Sequence, residues 1–279
     1  MTAWICVTCG VQHPDAPQPP PGCAVCEDER QFVGPDGQRW TAPDELAAGH
    51  RTVLAQVEAD LVGIGVEPSF AIGQRALLVR TPDGNVLWDC VPLLDDHARA
   101  EVAALGGIHT ICVSHPHFHA AMVDWADHFD ARILLARSDV DWVRRPSDRV
   151  EVFDEWSEPV PGVTVVRVGG HFAGSTVLHR QAADGRGVLL TGDSIQVVAD
   201  RRWVSFLWSY PNMLPLDERT VLGIAERVGA FRFERLYGGW WERRIDAGAD
   251  EAVARSAERY VARLRGERPD GHPSRPPGS

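Results

Sequence analysis

The 279-residue sequence predicts an α+β fold with a small metal-binding module at its N-terminus, and three observations predict it. Two Cys-x-x-Cys pairs open the chain, apolar β-branched strands then alternate with helical patterns, and three of those strands run straight into His or Asp. Hydrophobic residues make up 44% of the chain, ample for one sizeable core beside the small module.

The opening pairs are Cys6-Val7-Thr8-Cys9 and Cys23-Ala24-Val25-Cys26. Four thiolates on two tight turns can surround zinc tetrahedrally, and in a cytosolic chain paired knuckles point to metal rather than disulfides. Cys6, Cys9, Cys23 and Cys26 are therefore read as a structural zinc site of zinc-ribbon or rubredoxin-like kind, with iron as the alternative metal. Between them, Pro14 to Pro21 has no periodicity and reads as a stiff exposed loop. The flank Glu27-Asp28-Glu29-Arg30 is acidic, which argues against a nucleic-acid reader and for scaffold or partner surface. A turn at Gly34-Pro35-Asp36-Gly37 follows, then a helix start with Thr41 as cap. The module with its linker is expected to span 1–50, the main domain 51–267.

The main domain begins with a hairpin, Ala76-Leu77-Leu78-Val79 and Val86-Leu87-Trp88 flanking Thr81-Pro82-Asp83-Gly84-Asn85, whose second strand ends at Asp89-Cys90. A helix is expected from Asp95 to Leu105, stopped by Gly106-Gly107. The buried strand Ile108 to Val113 then leads into Ser114-His115-Pro116-His117-Phe118-His119. Side chains two apart on an extended backbone point the same way, so His115, His117 and His119 are expected to converge. A helix from Ala120 to His128 and a strand Ile133-Leu134-Leu135 continue the alternation. Val163 to Val168 leads into Gly169-Gly170-His171, and Gly187 to Thr191 into Gly192-Asp193. The glycines allow sharp turns and close approach, so one histidine and one carboxylate are delivered to strand ends. Neutral imidazoles and a carboxylate with one position left open suit a catalytic zinc ion.

Cys90 and Cys112 adjoin apolar strands and read as small core residues. The aromatic stretch Trp203 to Met213 is either core or the wall of an apolar pocket; Phe118, Tyr210 and Trp240 are the substrate-binding candidates. Leu216 to Val228 and Ala249 to Arg265 read as amphipathic helices, the second with Val253, Ala257, Tyr260, Val261 and Leu264 on one stripe. Residues 268–279 have nothing to bury and are expected to be disordered.

His-x-His, then Gly-His, then Gly-Asp, each after a hydrophobic strand, resembles the metallo-β-lactamase superfamily, the fold of glyoxalase II and many metal hydrolases. The resemblance covers roughly residues 51 to 265 and implies a four-layer αββα sandwich. It implies that His115, His117, His171 and Asp193 hold a catalytic metal, with Asp193 as fourth or bridging ligand, and that Asp89 fixes a ligand histidine from behind. The chain departs from the family at the second metal. The family's first motif is His-x-His-x-Asp-His, and here His119 and Ala120 stand at the last two places; the family's final His falls at Trp240. One catalytic metal is therefore expected. His119, at the place of the Asp that orients the attacking water, is the candidate base.

These readings predict a metal-dependent hydrolase that activates water against an ester, thioester or lactone-type small molecule. Two alternatives are a mononuclear iron oxidoreductase of the persulfide-dioxygenase kind and a non-catalytic metal-binding protein with a decayed second site. The chain contains no lysine, which removes Schiff-base and P-loop chemistry. A net charge of −11 repels phosphate backbones and anionic lipid, so no nucleic acid or membrane partner is expected. With no signal-like start and no membrane-length apolar window, a cytoplasmic protein is expected; a homo-oligomer is compatible with the sequence.

Overall fold

The computed structural model describes residues 1–267, and the tail expected to be disordered lies outside the described residues. The N-terminal part comprises β1 (Thr2–Cys6), β2 (Gln12–Ala16), α1 (Ala24–Glu27), β3 (Trp40–Thr41) and α2 (Pro43–Gly49), with a sheet in the order β2-β1-β3. β2 falls where the sequence suggested only loop. It is an edge strand, where the N–H that Pro14 lacks is not needed for pairing. The N-cap of α2 is Ala42 rather than Thr41, because both Thr41 Oγ1 and the Ala42 N–H donate to Glu45 Oε2, at 3.2 and 3.3 Å.

The first large sheet contains β4 (Arg51–Glu58), β5 (Leu61–Glu67), β6 (Ala76–Val79) and β7 (Val86–Trp88). After α3 (Asp96–Ala104) come β8 (Thr110–Cys112), α4 (Met122–Phe129), β9 (Arg132–Ala136) and β10 (Val150–Phe153). The strands lie in the order β10-β9-β8-β7-β6-β5-β4, antiparallel from β4 to β7 and parallel from β7 to β10. Asp95 caps α3 by accepting from the Ala98 N–H.

The second sheet starts with β11 (Trp156–Val160), β12 (Val163–Arg167), β13 (Thr176–Gln181) and β14 (Gly187–Leu190). Two small hairpins follow, β15 (Gln196–Val197) with β16 (Val204–Ser205) and β17 (Leu207–Ser209) with β18 (Leu214–Pro215). Then come α5 (Glu218–Gly229), β19 (Arg235–Tyr237), β20 (Arg244–Ile245) and α6 (Ala249–Leu264), giving the sheet order β11-β12-β13-β14-β19-β20.

Alternation along the strands sorts the core into three layers. Leu78, Leu87 and Ile111 pack with Val102 of α3 and Trp125 of α4. Leu77, Trp88 and Cys112 meet Val165, Leu178 and Leu190 between the sheets. Val177, Leu189 and Leu236 pack with Ile224 of α5 and Val253 and Val261 of α6. Helix, sheet, sheet and helix are thus stacked in the expected αββα order. Leu264, expected on the buried stripe of α6, is exposed in the helix's last turn.

Candidate metal centre

Three strand ends meet at one edge of the sandwich. Beyond β8, His115 leads into a 3-10 turn over Pro116–Phe118 that carries His117. His171 follows β12 on a loop opened by Gly169 and Gly170, both in the left-handed region at φ +71° and +90°. A side chain at Gly170 would meet Ile224 Cδ1 at 2.7 Å, so the close passage of this loop over α5 requires glycine. Asp193 follows β14 just after Gly192.

His115, His117, His171 and Asp193 present four ligand atoms within 4.8 Å of one another. His115 Nε2 lies 3.2 Å from Asp193 Oδ2, His171 Nε2 lies 3.8 Å from the same oxygen, and His171 Nε2 lies 3.1 Å from His117 Nδ1. Ligands at zinc's usual distances in a tetrahedron stand about 3.3 Å apart, so the spacing fits one ion. All four residues are between 1 and 4% exposed, yet His115 Nε2 and Asp193 Oδ1 have no hydrogen-bond partner. Buried polar atoms left in this way cost free energy unless something binds them.

The protonation states suit a ligand set. Burial pushes His115 down to about 3 and His171 down to about 4, and holds His117 well below its ordinary value, so the imidazoles are neutral. Burial raises Asp193 to about 6. His171 Nδ1 faces the Leu207 carbonyl at 3.2 Å; a carbonyl only accepts, so the proton sits on Nδ1 and Nε2 presents its lone pair inward. His115 Nδ1 is similarly engaged by Ser114 Oγ at 2.8 Å.

The second group is Cys6, Cys9, Cys23 and Cys26, all buried and none in a disulfide. The Cys6 and Cys26 sulfurs are 3.5 Å apart and those of Cys9 and Cys23 3.7 Å, close to the roughly 3.8 Å edge of a tetrathiolate zinc site. These are the two such groups among the described residues.

Several expected site residues fall elsewhere. His119 is not brought into the cluster. It is fully buried and lies by the Trp142 carbonyl, and burial pushes it down to about 3, which makes it a poor proton acceptor near neutrality. Asp89 touches no ligand ring; its Oδ1 accepts from the Ser114 N–H at 2.7 Å and so reaches His115 through Ser114. Phe118 is 0% exposed and packs edge-on to the His115 ring at 4.7 Å, so it is core rather than pocket wall. Tyr210, half-buried, donates to the Asp193 carbonyl at 2.8 Å, with its ring 5.6 Å from that of His171. Trp240 donates to the Ile72 carbonyl at 2.8 Å and lies 5.8 Å from Phe118. Neither it nor Ala120 offers a ligand atom where a second ion would need one.

The contribution that sequence reasoning missed is Arg30. The acidic flank after Cys26, expected to be scaffold or partner surface, packs through Arg30 against the metal centre. Arg30 is buried, its guanidinium 3.9 Å from the Phe172 ring centre and 4.4 Å from that of Trp208, and Nη1 donates to the His171 carbonyl at 3.3 Å. No local motif marks an arginine whose partners at the metal centre lie more than 100 residues away.

No family model matches the chain. Over 271 residues, 96% of this chain and 98% of the relative, it is 44% identical to the uncharacterized protein YmaE of Bacillus subtilis (strain 168). Among solved structures, the metallo-β-lactamase SMB-1 is similar with a TM-score of 0.54 at 18% identity, over 77% of this chain and 97% of that one. VMB-1 gives 0.57 at 11% identity, over 77% and 98%. The metallo-β-lactamase MIM-1 from Novosphingobium pentaromativorans gives 0.51 at 16% identity, over 78% and 93%. At these identities the likeness is one of fold.

Proposed function

The chain belongs to one family with YmaE of Bacillus subtilis and has the metallo-β-lactamase fold, and from that premise we propose that it is a mononuclear metal-dependent hydrolase acting on an ester, thioester or lactone-type small molecule. The observation that carries the proposal is the convergence of His115, His117, His171 and Asp193 on one point, with buried ligand atoms left unpaired. A divalent ion held there supplies Lewis acidity and a water ionised near neutrality. Around it, Ser114 and the Leu207 carbonyl fix the ring orientations of His115 and His171. Asp193 Oδ2 faces the ligand histidines while Oδ1 is buried without a partner, so Oδ1 is placed to accept a proton from an attacking water. Tyr210 holds the Asp193 backbone and walls one side of the site.

The test is metal content of the full-length protein together with turnover on a panel of thioesters, lactones and simple esters. Two metals per chain, falling to one in Asp193→Asn with loss of hydrolysis, is the expected result. A chain with no metal beyond that of the cysteines, or with no hydrolysis of any substrate when loaded, would refute the proposal.

One observation favours a second reading, an iron-dependent oxidoreductase. Trp142 packs against the cysteine cluster and meets Phe172 edge-on at 5.3 Å, and Phe172 lies 5.0 Å from His117. Aromatic rings thus join the two clusters, an arrangement of use to a pair that exchanges electrons. Iron in both sites with oxygen uptake would favour this reading, and zinc without oxygen uptake would eliminate it.

A further inference from the structure

We infer that Arg30 is a positioning residue of the metal centre, and that through it the cysteine module and the histidine-carboxylate cluster are thermodynamically coupled. The inference rests on the reading that both clusters hold metal.

A guanidinium taken out of water must be paired on its polar edges. Arg30 divides those edges between the two parts of the molecule. Nε and Nη2 donate to Asp28 Oδ1 and Oδ2 at 2.5 and 2.7 Å, a two-pronged clamp within the module's own loop, and this pairing holds the Asp28 carboxyl below its ordinary range. Nη1 is left to donate across to the backbone carbonyl of His171. The flat faces are covered by Phe172 and Trp208.

The same loop holds the other group that orients His171. Trp208 Nε1 donates to Glu29 Oε1 at 2.9 Å, and Asn212 Nδ2 donates to the carbonyls of Glu29 and Gln31 at 2.8 and 3.2 Å. These contacts fasten the β17–β18 hairpin to the module, and Leu207, at the start of that hairpin, accepts from His171 Nδ1. His171 is therefore held twice by the module: its backbone through Arg30, its ring through Leu207. The loop that carries it enters through two adjacent glycines, which give it little stiffness of its own. On the cysteine side, the turn preceding Asp28 is fixed where the N–H groups of Cys26 and Glu27 donate to the Cys23 carbonyl.

Metal on the four cysteines thus orders the segment that positions His171, and coupling of two binding equilibria is reciprocal. Each metal tightens the other.

Cobalt(II) tests this in the full-length protein, because a tetrathiolate site absorbs intensely and a histidine-carboxylate site weakly, so one titration reads both. Arg30→Met is expected to weaken cobalt binding at the histidine cluster ten- to a hundredfold, as loss of such supporting contacts usually does, and to remove the tightening of the thiolate site by the second metal, with the thiolate absorption at saturation unchanged. That unchanged absorption also reports that the module has folded. Arg30→Lys is expected to behave like Arg30→Met, because an ammonium cannot clamp both Asp28 oxygens while lying flat on Phe172. Wild-type affinity at the histidine cluster in both variants would overturn the inference. Wild-type protein that fills only the thiolate site would instead overturn the metal-centre reading, and the inference with it.

Discussion

The backbone N–H of Ser114 donates to Asp89 Oδ1 at 2.7 Å, so the residue that precedes the first ligand histidine is pinned by a carboxyl group buried at the end of the adjacent strand, its pKa pushed up by burial to about 8. Asp89 itself sits at φ +64°, a conformation uncommon outside glycine that Asp tolerates better than most residues. Replacing Asp89 by Ala leaves the Ser114 N–H unpaired and frees the β8 terminus. We expect metal affinity at the histidine cluster to fall roughly ten- to a hundredfold, while Asp89→Asn, which keeps the accepting oxygen, retains most of it. Metal titration of the two variants checks this, and equal affinities would remove Asp89 from the support of the site.

Gly192 tests the same contact from the other side. It lies at φ +52°, and a Cβ there would stand 2.3 Å from Ser114 Oγ and 3.5 Å from His115 Nδ1. Gly192→Ala must push Ser114 off His115. The expected outcome is loss of the metal at the histidine cluster with the cysteine metal retained, read by metal analysis of the purified variant.

Much of this centre was legible in the sequence because its ligands are delivered by local grammar: an apolar strand, a short turn of Ser, Pro or Gly, then the ligand. His115, His117, His171 and Asp193 each end such a phrase, and the structure brings those four together. What the sequence did not disclose is where a chain turns once it leaves the strand. Extended spacing placed His119 with its neighbours, but the backbone coils into a 3-10 turn over Pro116–Phe118, and His119, at the turn's C-terminal end, falls outside the cluster that His117 joins. Arg30 and Leu207 act on His171 across the fold, one by a side chain and one by a carbonyl, and neither leaves a local signature.

His119 accordingly has a sharp test. From its position outside the cluster and its depressed proton affinity, His119→Ala is expected to keep both metals and to hold turnover within about tenfold of wild type. A general base contributes on the order of 10²–10⁴-fold, so a loss of that size with metal retained would restore the base role that the sequence suggested.

The two sheets are also joined by a buried charge cluster far from the metals. Arg180 of β13, 2% exposed, pairs with Glu58 at 2.9 Å and with Asp60 at 2.6 Å, both from the β4–β5 turn region. Arg180→Met takes a shared partner from two carboxylates, leaving Glu58 with Tyr237 and Arg235 and Asp60 with the Ala183 N–H. Breaking a buried pair in this way costs about 3–5 kcal/mol, and chemical denaturation should show a loss of that order. A loss under 1 kcal/mol would mean that the carboxylates find water or Arg235, which lies 3.2 Å from Glu58.

Asp139 gives the stability curve a predictable pH dependence. Its Oδ1 accepts from the Gly174 N–H at 2.7 Å, its Oδ2 is buried without a partner, and burial raises its pKa to about 6. An acid whose pKa is raised by folding binds its proton more tightly in the folded chain than in the unfolded one, where it titrates near 4. Its contribution is therefore most favourable below about pH 4, weakens as pH rises from 4 to 6, and is constant above that. Asp139→Asn keeps the acceptor for Gly174 and removes the titration. The variant should gain stability relative to wild type across that window, by on the order of 2–3 kcal/mol in total, with no further change up to pH 8. Paired denaturation curves at pH 4, 5, 6 and 8 decide it: because every other titrating group is common to both proteins, a difference that stays flat from pH 4 to 6 would show that Asp139 remains ionised in the folded chain.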